Sequence, residues 1–175
     1  MKLINGIIYL ATLLIIMGCE QMHGSNELDS IMSNNNLNIE LKVDTSNEYE
    51  IENIADEDTG EKYLKITVID EFSLRGKAEI LTGNTYNLSV TLKNTDANPL
   101  IMYSTWKGLK TLSRSFTLAG TNGNPPISET QNLHNDWITY NETFIAEEGE
   151  ESFMLSIYSK QGTFYIKDIS IITMD

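Results

Sequence analysis

The sequence predicts an all-β chain: an antiparallel two-sheet β-sandwich, a jelly roll of eight to nine strands. Three observations carry this. From residue 38 onward apolar and polar residues alternate with a period of two. Turn-forming clusters (DTG, TGN, NTDANP, GTNGNPP, EEGEE and KQG) recur at short intervals. No stretch after Cys19 has the spacing of a long amphipathic helix. Strands without helices bury their apolar faces by packing sheet on sheet.

The chain opens with MKLINGIIYLATLLIIMGCE, in which Lys2 precedes an apolar stretch from Ile7 to Met17. That stretch is too short for a permanent bilayer span and reads as a secretory signal, residues 1–18. Cys19 is the single cysteine of the chain, set directly after a small residue. Its setting resembles the bacterial lipobox, in which cleavage precedes the cysteine and the thiol is acylated. Ile16 and Gly18 fit that pattern, whereas Met17 stands where Ala, Ser or Thr is commoner. The alternative is an ordinary signal peptide with an incidental cysteine. On the first reading the mature chain keeps 175 − 18 = 157 residues, and residues 19–37, ending in an Asn run, form a lipidated tether. As a coil, such a tether spans about 23 Å.

Residues 38–175 are of single-domain size. Strands are expected at 38–44, 62–69, 77–81, 85–93, 100–107, 112–119, 137–146, 151–160 and 163–172. DTG closes the approach to the second strand, and TGN separates the third and fourth. NTDANP, GTNGNPP, EEGEE and KQG part the later ones. Alternation sorts the faces. Leu88, Val90 and Leu92 oppose Asn87, Ser89, Thr91 and Lys93, while Phe153, Leu155 and Ile157 oppose Met154, Ser156 and Tyr158.

The chain carries 25 acids against 12 bases, a net charge of -13. Such a surface repels nucleic acid and anionic lipid, so no nucleic-acid partner is expected. Membrane attachment must come from acyl chains on Cys19 and not from a basic face. The expected location is the cell envelope, outside the cytoplasm.

Three stretches are similar to one known family. GNTYNLSVTLKN (83–94), WITYNETF (137–144) and the closing TFYIKDISI resemble the corresponding strands of carbohydrate-binding modules of the family four, nine and twenty-two group. KYLKITV (62–68) matches the strand that precedes them, and the resemblance covers roughly residues 48–175. Its motifs are mostly fold-setting apolar positions, so they speak to architecture more than to ligand. In that fold a structural calcium commonly bridges a late-strand acid and an early-strand acid. The resemblance makes Asp168 the candidate metal ligand, with Glu40 or Glu50 as partner. The family's paired acid is here Lys167-Asp168, so one carboxylate is missing. Without metal, Asp168 would pair with Lys167 or Lys65, or cap a bulge.

Sugar sites need flat rings beside amide, acid or hydroxyl groups. Tyr103, Asn141, Tyr158 and Tyr165 are assigned to the polar side of their strands, with Trp106 at a strand end. Trp137 occupies a family position that is usually structural. The acidic turns ADEDTGE (55–61) and EEGEE (147–151) read as solvated hairpins, and His23 and His134 as isolated loop residues. No nucleophile–base pair or opposed acid pair stands out, so no enzyme activity is expected. The expectation is a non-catalytic lipoprotein binding polysaccharide or glycan. The alternative is a structural or adhesive surface protein that contacts a protein partner through the same sandwich.

Overall fold

The computed structural model describes residues 28, 37–45, 47–108, 110–120 and 136–174. The expected signal peptide (1–18), Cys19, most of the expected 19–37 tether and His134 lie outside them. Eight antiparallel strands follow in order: β1 (Glu40–Val43), β2 (Tyr49–Ala55), β3 (Lys62–Glu79), β4 (Thr85–Asn94), β5 (Leu100–Lys107), β6 (Thr111–Ala119), β7 (Ile138–Ile145) and β8 (Glu150–Met174).

Two of these strands are long enough to serve both layers of the sandwich. The later part of β3 pairs with β1 and with the first part of β8, which continues to β5 and β6. The earlier part of β3 pairs with β2 and with the last part of β8, which continues to β4 and β7. We call these the first and second layers. The passage between them is marked by a register shift between Val68 and Glu71 on β3, opposite Gly162 of β8. An extra residue at such a point bends the strand and raises its twist.

The two layers close on one core. Leu64, Ile66, Leu88, Val90, Ile166 and Ile171 point in from the second layer, and Phe72, Leu74, Ile101, Phe153, Leu155 and Ile157 from the first. Rings join them: Phe72 meets Phe164 at 5.9 Å, and Phe144 of β7 stacks on Phe153 of β8 at 5.6 Å. The burial of Leu88, Val90, Leu92, Phe153, Leu155 and Ile157 agrees with the faces read from alternation.

The expected strands differ from these in three places. KQG is no hairpin turn, because residues 150–174 form one strand that bends at Gly162. The segments at 62–69 and 77–81 are parts of the single β3. β2 was not among the expected strands; it pairs residue for residue with β3 from Tyr49 to Ala55.

Gly162 adopts φ 130°, and a Cβ there would meet the backbone N of Ala97 at 2.8 Å. The β4–β5 loop is held against this bend: Thr95 Oγ1 donates to the Thr163 carbonyl at 2.8 Å, and Thr163 N–H donates to Asp96 Oδ1 at 2.5 Å. Glycine is required here for both its conformation and its lack of side chain.

Candidate aromatic face of the second layer

The outward surface of the second layer is built by simple alternation. Leu64 and Ile66 enter the core, which turns Tyr63 and Lys65 outward; Phe164 and Ile166 do the same for Tyr165, and Leu92 for Lys93. The register then sets these side chains in one row. Glu52 of β2 faces Lys65 of β3, Lys65 faces Tyr165 of β8, and Tyr165 faces Lys93 of β4. Trp137 joins them from the residue before β7.

Three half-buried rings meet there. Tyr63 lies 5.3 Å from Trp137 and 5.9 Å from Tyr165, and Trp137 lies 6.5 Å from Tyr165, all edge to face. Aromatic pairs of this geometry hold one another in place without core burial. Two ammonium groups lie over ring faces: Lys93 Nζ is 5.8 Å from the Tyr165 centroid and Lys167 Nζ 5.7 Å from that of Trp137. Lys65 pairs with Glu52 at 3.1 Å and Lys167 with Glu61 at 2.5 Å. The hydrogen bond from Lys65 to Glu52 raises the lysine pKa above its usual value.

The expected site residues are distributed over three places. Tyr165 belongs to the ring cluster. Asn141 lies on the same face, opposite Ser89, about four residues or roughly 13 Å along β7 from Trp137. Trp106 and Tyr158 face outward from the first layer, opposite Ser152 and Leu100 respectively. Those positions lie six β8 residues apart, roughly 20 Å. Trp106 Nε1 donates to Ser104 Oγ at 2.9 Å, and the Tyr158 hydroxyl donates to Glu71.

Tyr103 is a correction. It is only 2% exposed and stacks on Phe116, Phe144 and Phe153 at 5.0, 5.3 and 6.0 Å. In LIMYSTWK both alternating sets contain large apolar residues, and the set that turns inward is the one with Ile101, Tyr103 and Thr105. Burial pushes the Tyr103 hydroxyl up to about 12.

Asp168 sits half-buried opposite Thr91, beside Lys167. The register shift between Thr91 and Leu92 leaves Lys167 without a β4 partner, a bulge that brings both charges toward the outward face. Neither cation expected to pair with Asp168 does so, since Lys65 and Lys167 take Glu52 and Glu61. Of the carboxylates expected beside it, Glu40 lies in the first layer opposite Lys77, and Glu50 lies on β2, two strands away. Among the described residues no group of three His, Cys, Asp or Glu could hold a metal ion.

Two members of the ring cluster were not among the expected site residues. Tyr63 had a legible signal in KYLKITV, where it alternates with the apolar Leu64 and Ile66. Trp137 occupies a position that the resemblance makes structural, so the sequence does not single it out.

No family model matches the chain, and no curated protein matches it in sequence. Solved structures match its shape. A CBM4 structure is similar with a TM-score of 0.53 at 16% identity, over 77% of this chain and 87% of that one. The CBM22-1 xylan-binding domain from Paenibacillus barcinonensis is similar with a TM-score of 0.51 at 10% identity, over 76% and 85%. The enzymatically active domain of tailspike protein 4 from bacteriophage CBA120 gives 0.56 at 10% identity; it matches 78% of this chain, which spans only 19% of that one. At such identities the likeness is one of fold: the chain has the jelly-roll β-sandwich architecture of carbohydrate-binding modules.

Proposed function

We propose that this chain is a non-catalytic glycan-binding domain, tethered at the cell envelope through an acylated Cys19, that takes a polysaccharide on the outward face of its second layer. The observation that carries the reading is the meeting of Tyr63, Trp137 and Tyr165 on that face. Tyr63 and Tyr165 stand on the adjacent strands β3 and β8, Trp137 comes from the residue before β7, and Lys65, Lys93 and Asp168 flank them. Sugar rings offer C–H faces to aromatic groups and hydroxyls to such charged and amide neighbours. Sites built on strands hold their geometry better than sites on loops. The shape shared with carbohydrate-binding modules supports the reading at the level of architecture.

The test is a glycan array probed with the chain from Glu20 onward, with and without calcium, followed by calorimetry on any positive glycan. Binding that is lost in Trp137→Ala supports the reading, and an array without positives overturns it. Calcium-dependent binding that Asp168→Asn abolishes would support a metal at Asp168. A second reading is favoured by one observation. Ile145, Ile172 and Met174 are exposed side by side around Thr85 and Asn87 at the other end of the same face. Exposed apolar side chains gathered at one end of a face suit a protein partner, and that partner becomes the leading candidate if no glycan binds.

A further inference from the structure

The cations of the ring cluster go beyond what a neutral sugar requires. Lys65 and Lys93 both face Tyr165 in register, one from each side. Cross-strand neighbours stand about 5 Å apart, so the two lysines bracket this ring across roughly 10 Å. Lys167, two residues beyond Tyr165, adds a third ammonium over Trp137. Three of the 12 basic residues of a chain with net charge -13 therefore gather at one aromatic cluster.

The three differ in what neutralises them. Lys65 and Lys167 have Glu52 and Glu61, each half exposed. Among the described residues Lys93 forms no ion pair, and its ammonium lies over the Tyr165 ring. An ammonium held over a ring beside a site for a sugar face is placed to meet an anion on the sugar's edge.

We infer that the ligand is an acidic polysaccharide bearing uronate carboxylates, with a pyranose ring against the cluster of Tyr63, Trp137 and Tyr165 and its carboxylate on Lys93. This rests on the glycan-binding reading above. A uronate carries its charge on an exocyclic carboxylate attached at the edge of the pyranose, beside the C–H face that stacks. That reach is comparable with the 5.8 Å between the Lys93 ammonium and the Tyr165 ring centroid. The chain as a whole is acidic and repels polyanions, and Glu52 and Glu61 neutralise two of the three lysines, so capture depends on Lys93 and weakens with salt.

The experiment is titration of the chain from Glu20 onward, calcium-free, at low and high sodium chloride. The titrants are polygalacturonate, alginate, dextran sulfate as a sulfated polyanion, and neutral xylan and glucan. Binding to a carboxylated polymer, weakened by salt and by about tenfold in Lys93→Gln, is the expected result; that is the scale of one charge-assisted hydrogen bond. Lys42→Gln, on the first layer, should leave it unchanged. If a neutral polymer binds as tightly and Lys93→Gln has no effect, the uronate assignment is overturned while the glycan-binding reading stands. Dextran sulfate binding as tightly as the uronates overturns the commitment to carboxylate. If no polymer binds, both readings fall.

Discussion

Arg114 holds Glu150 through two parallel hydrogen bonds, Nε to Oε1 at 2.9 Å and Nη2 to Oε2 at 2.7 Å, although Glu150 has no exposed surface. Thr105 Oγ1 donates to Oε1 at 2.6 Å and Glu147 N–H to Oε2 at 2.8 Å, so both carboxylate oxygens are shared between two donors. The same guanidinium donates to the Ile145 carbonyl at 2.7 Å. One buried acid thus ties β5, β6 and the end of β7 to the start of β8. A buried charge is tolerated only with this degree of pairing.

The pair makes stability depend on acid pH. Burial alone would raise the Glu150 pKa, but the hydrogen bonds from Arg114, Thr105 and Glu147 outweigh it and bring it from 4.5 down to about 2. Because the folded value lies below the unfolded one, the stabilisation is complete above about pH 4.5 and is lost as pH falls toward 2. Over that interval it amounts to roughly 3 kcal/mol. Urea denaturation should show the difference between wild type and Glu150→Gln shrinking across this window; a constant difference would contradict the assignment. Arg114→Met, which strands the buried charge, should cost about 3–5 kcal/mol at neutral pH.

The ring cluster and the core tyrosine should separate cleanly in mutants. Trp137→Ala and Tyr165→Ala are expected to weaken glycan binding by about tenfold to a hundredfold, the 1–3 kcal/mol of one aromatic contact. Tyr103→Ala should instead lower the melting temperature, with a loss of about 3–5 kcal/mol for a buried ring. Trp106→Ala and Tyr158→Ala, on the other layer, should keep full affinity. Calorimetry paired with thermal denaturation decides, and loss of affinity in the first-layer variants would relocate the site.

Gly162→Ala should destabilise the fold although it removes nothing. The added methyl meets Ala97 backbone below 3 Å at a φ of 130°. We expect about 1–3 kcal/mol in chemical denaturation. A neutral result would mean that the β4–β5 loop yields readily where β8 changes layer.

Anchoring is tested at Cys19. With Cys19→Ala the protein should carry no acyl chain and leave the membrane fraction, followed by fatty-acid labelling and detergent partition. A variant that remains labelled and membrane-bound would refute the lipobox reading.

Much of the sandwich was legible because a strand half buried in a core writes its alternation into the sequence. Phe153, Leu155 and Ile157 face inward as that alternation requires. β2 also carries the signal, since Tyr49 and Ile51 alternate with Glu50 and Glu52, but its acids resemble a solvated linker until β3 is seen beside it. The strand containing Tyr103 was ambiguous because either of its faces could be core. The choice came from its neighbours, as Tyr103 joins the rings of Phe144 and Phe153 and Thr105 meets Glu150.

By itself the sequence determined the strand-rich character, the lone acid Asp168 in the closing run TFYIKDISI and the polar and apolar sides of β4 and β8, all properties of short stretches with a period of two. Only the tertiary structure decided that Tyr63, Trp137 and Tyr165 meet, while Trp106 and Tyr158 lie on the other layer. Those three rings come from β3, β8 and the residue before β7: β3 and β8 are direct neighbours in the order β3–β8–β4–β7, whereas Trp137 reaches them from the far side of β4. That order is set by pairing between strands far apart in the chain, which no local pattern encodes.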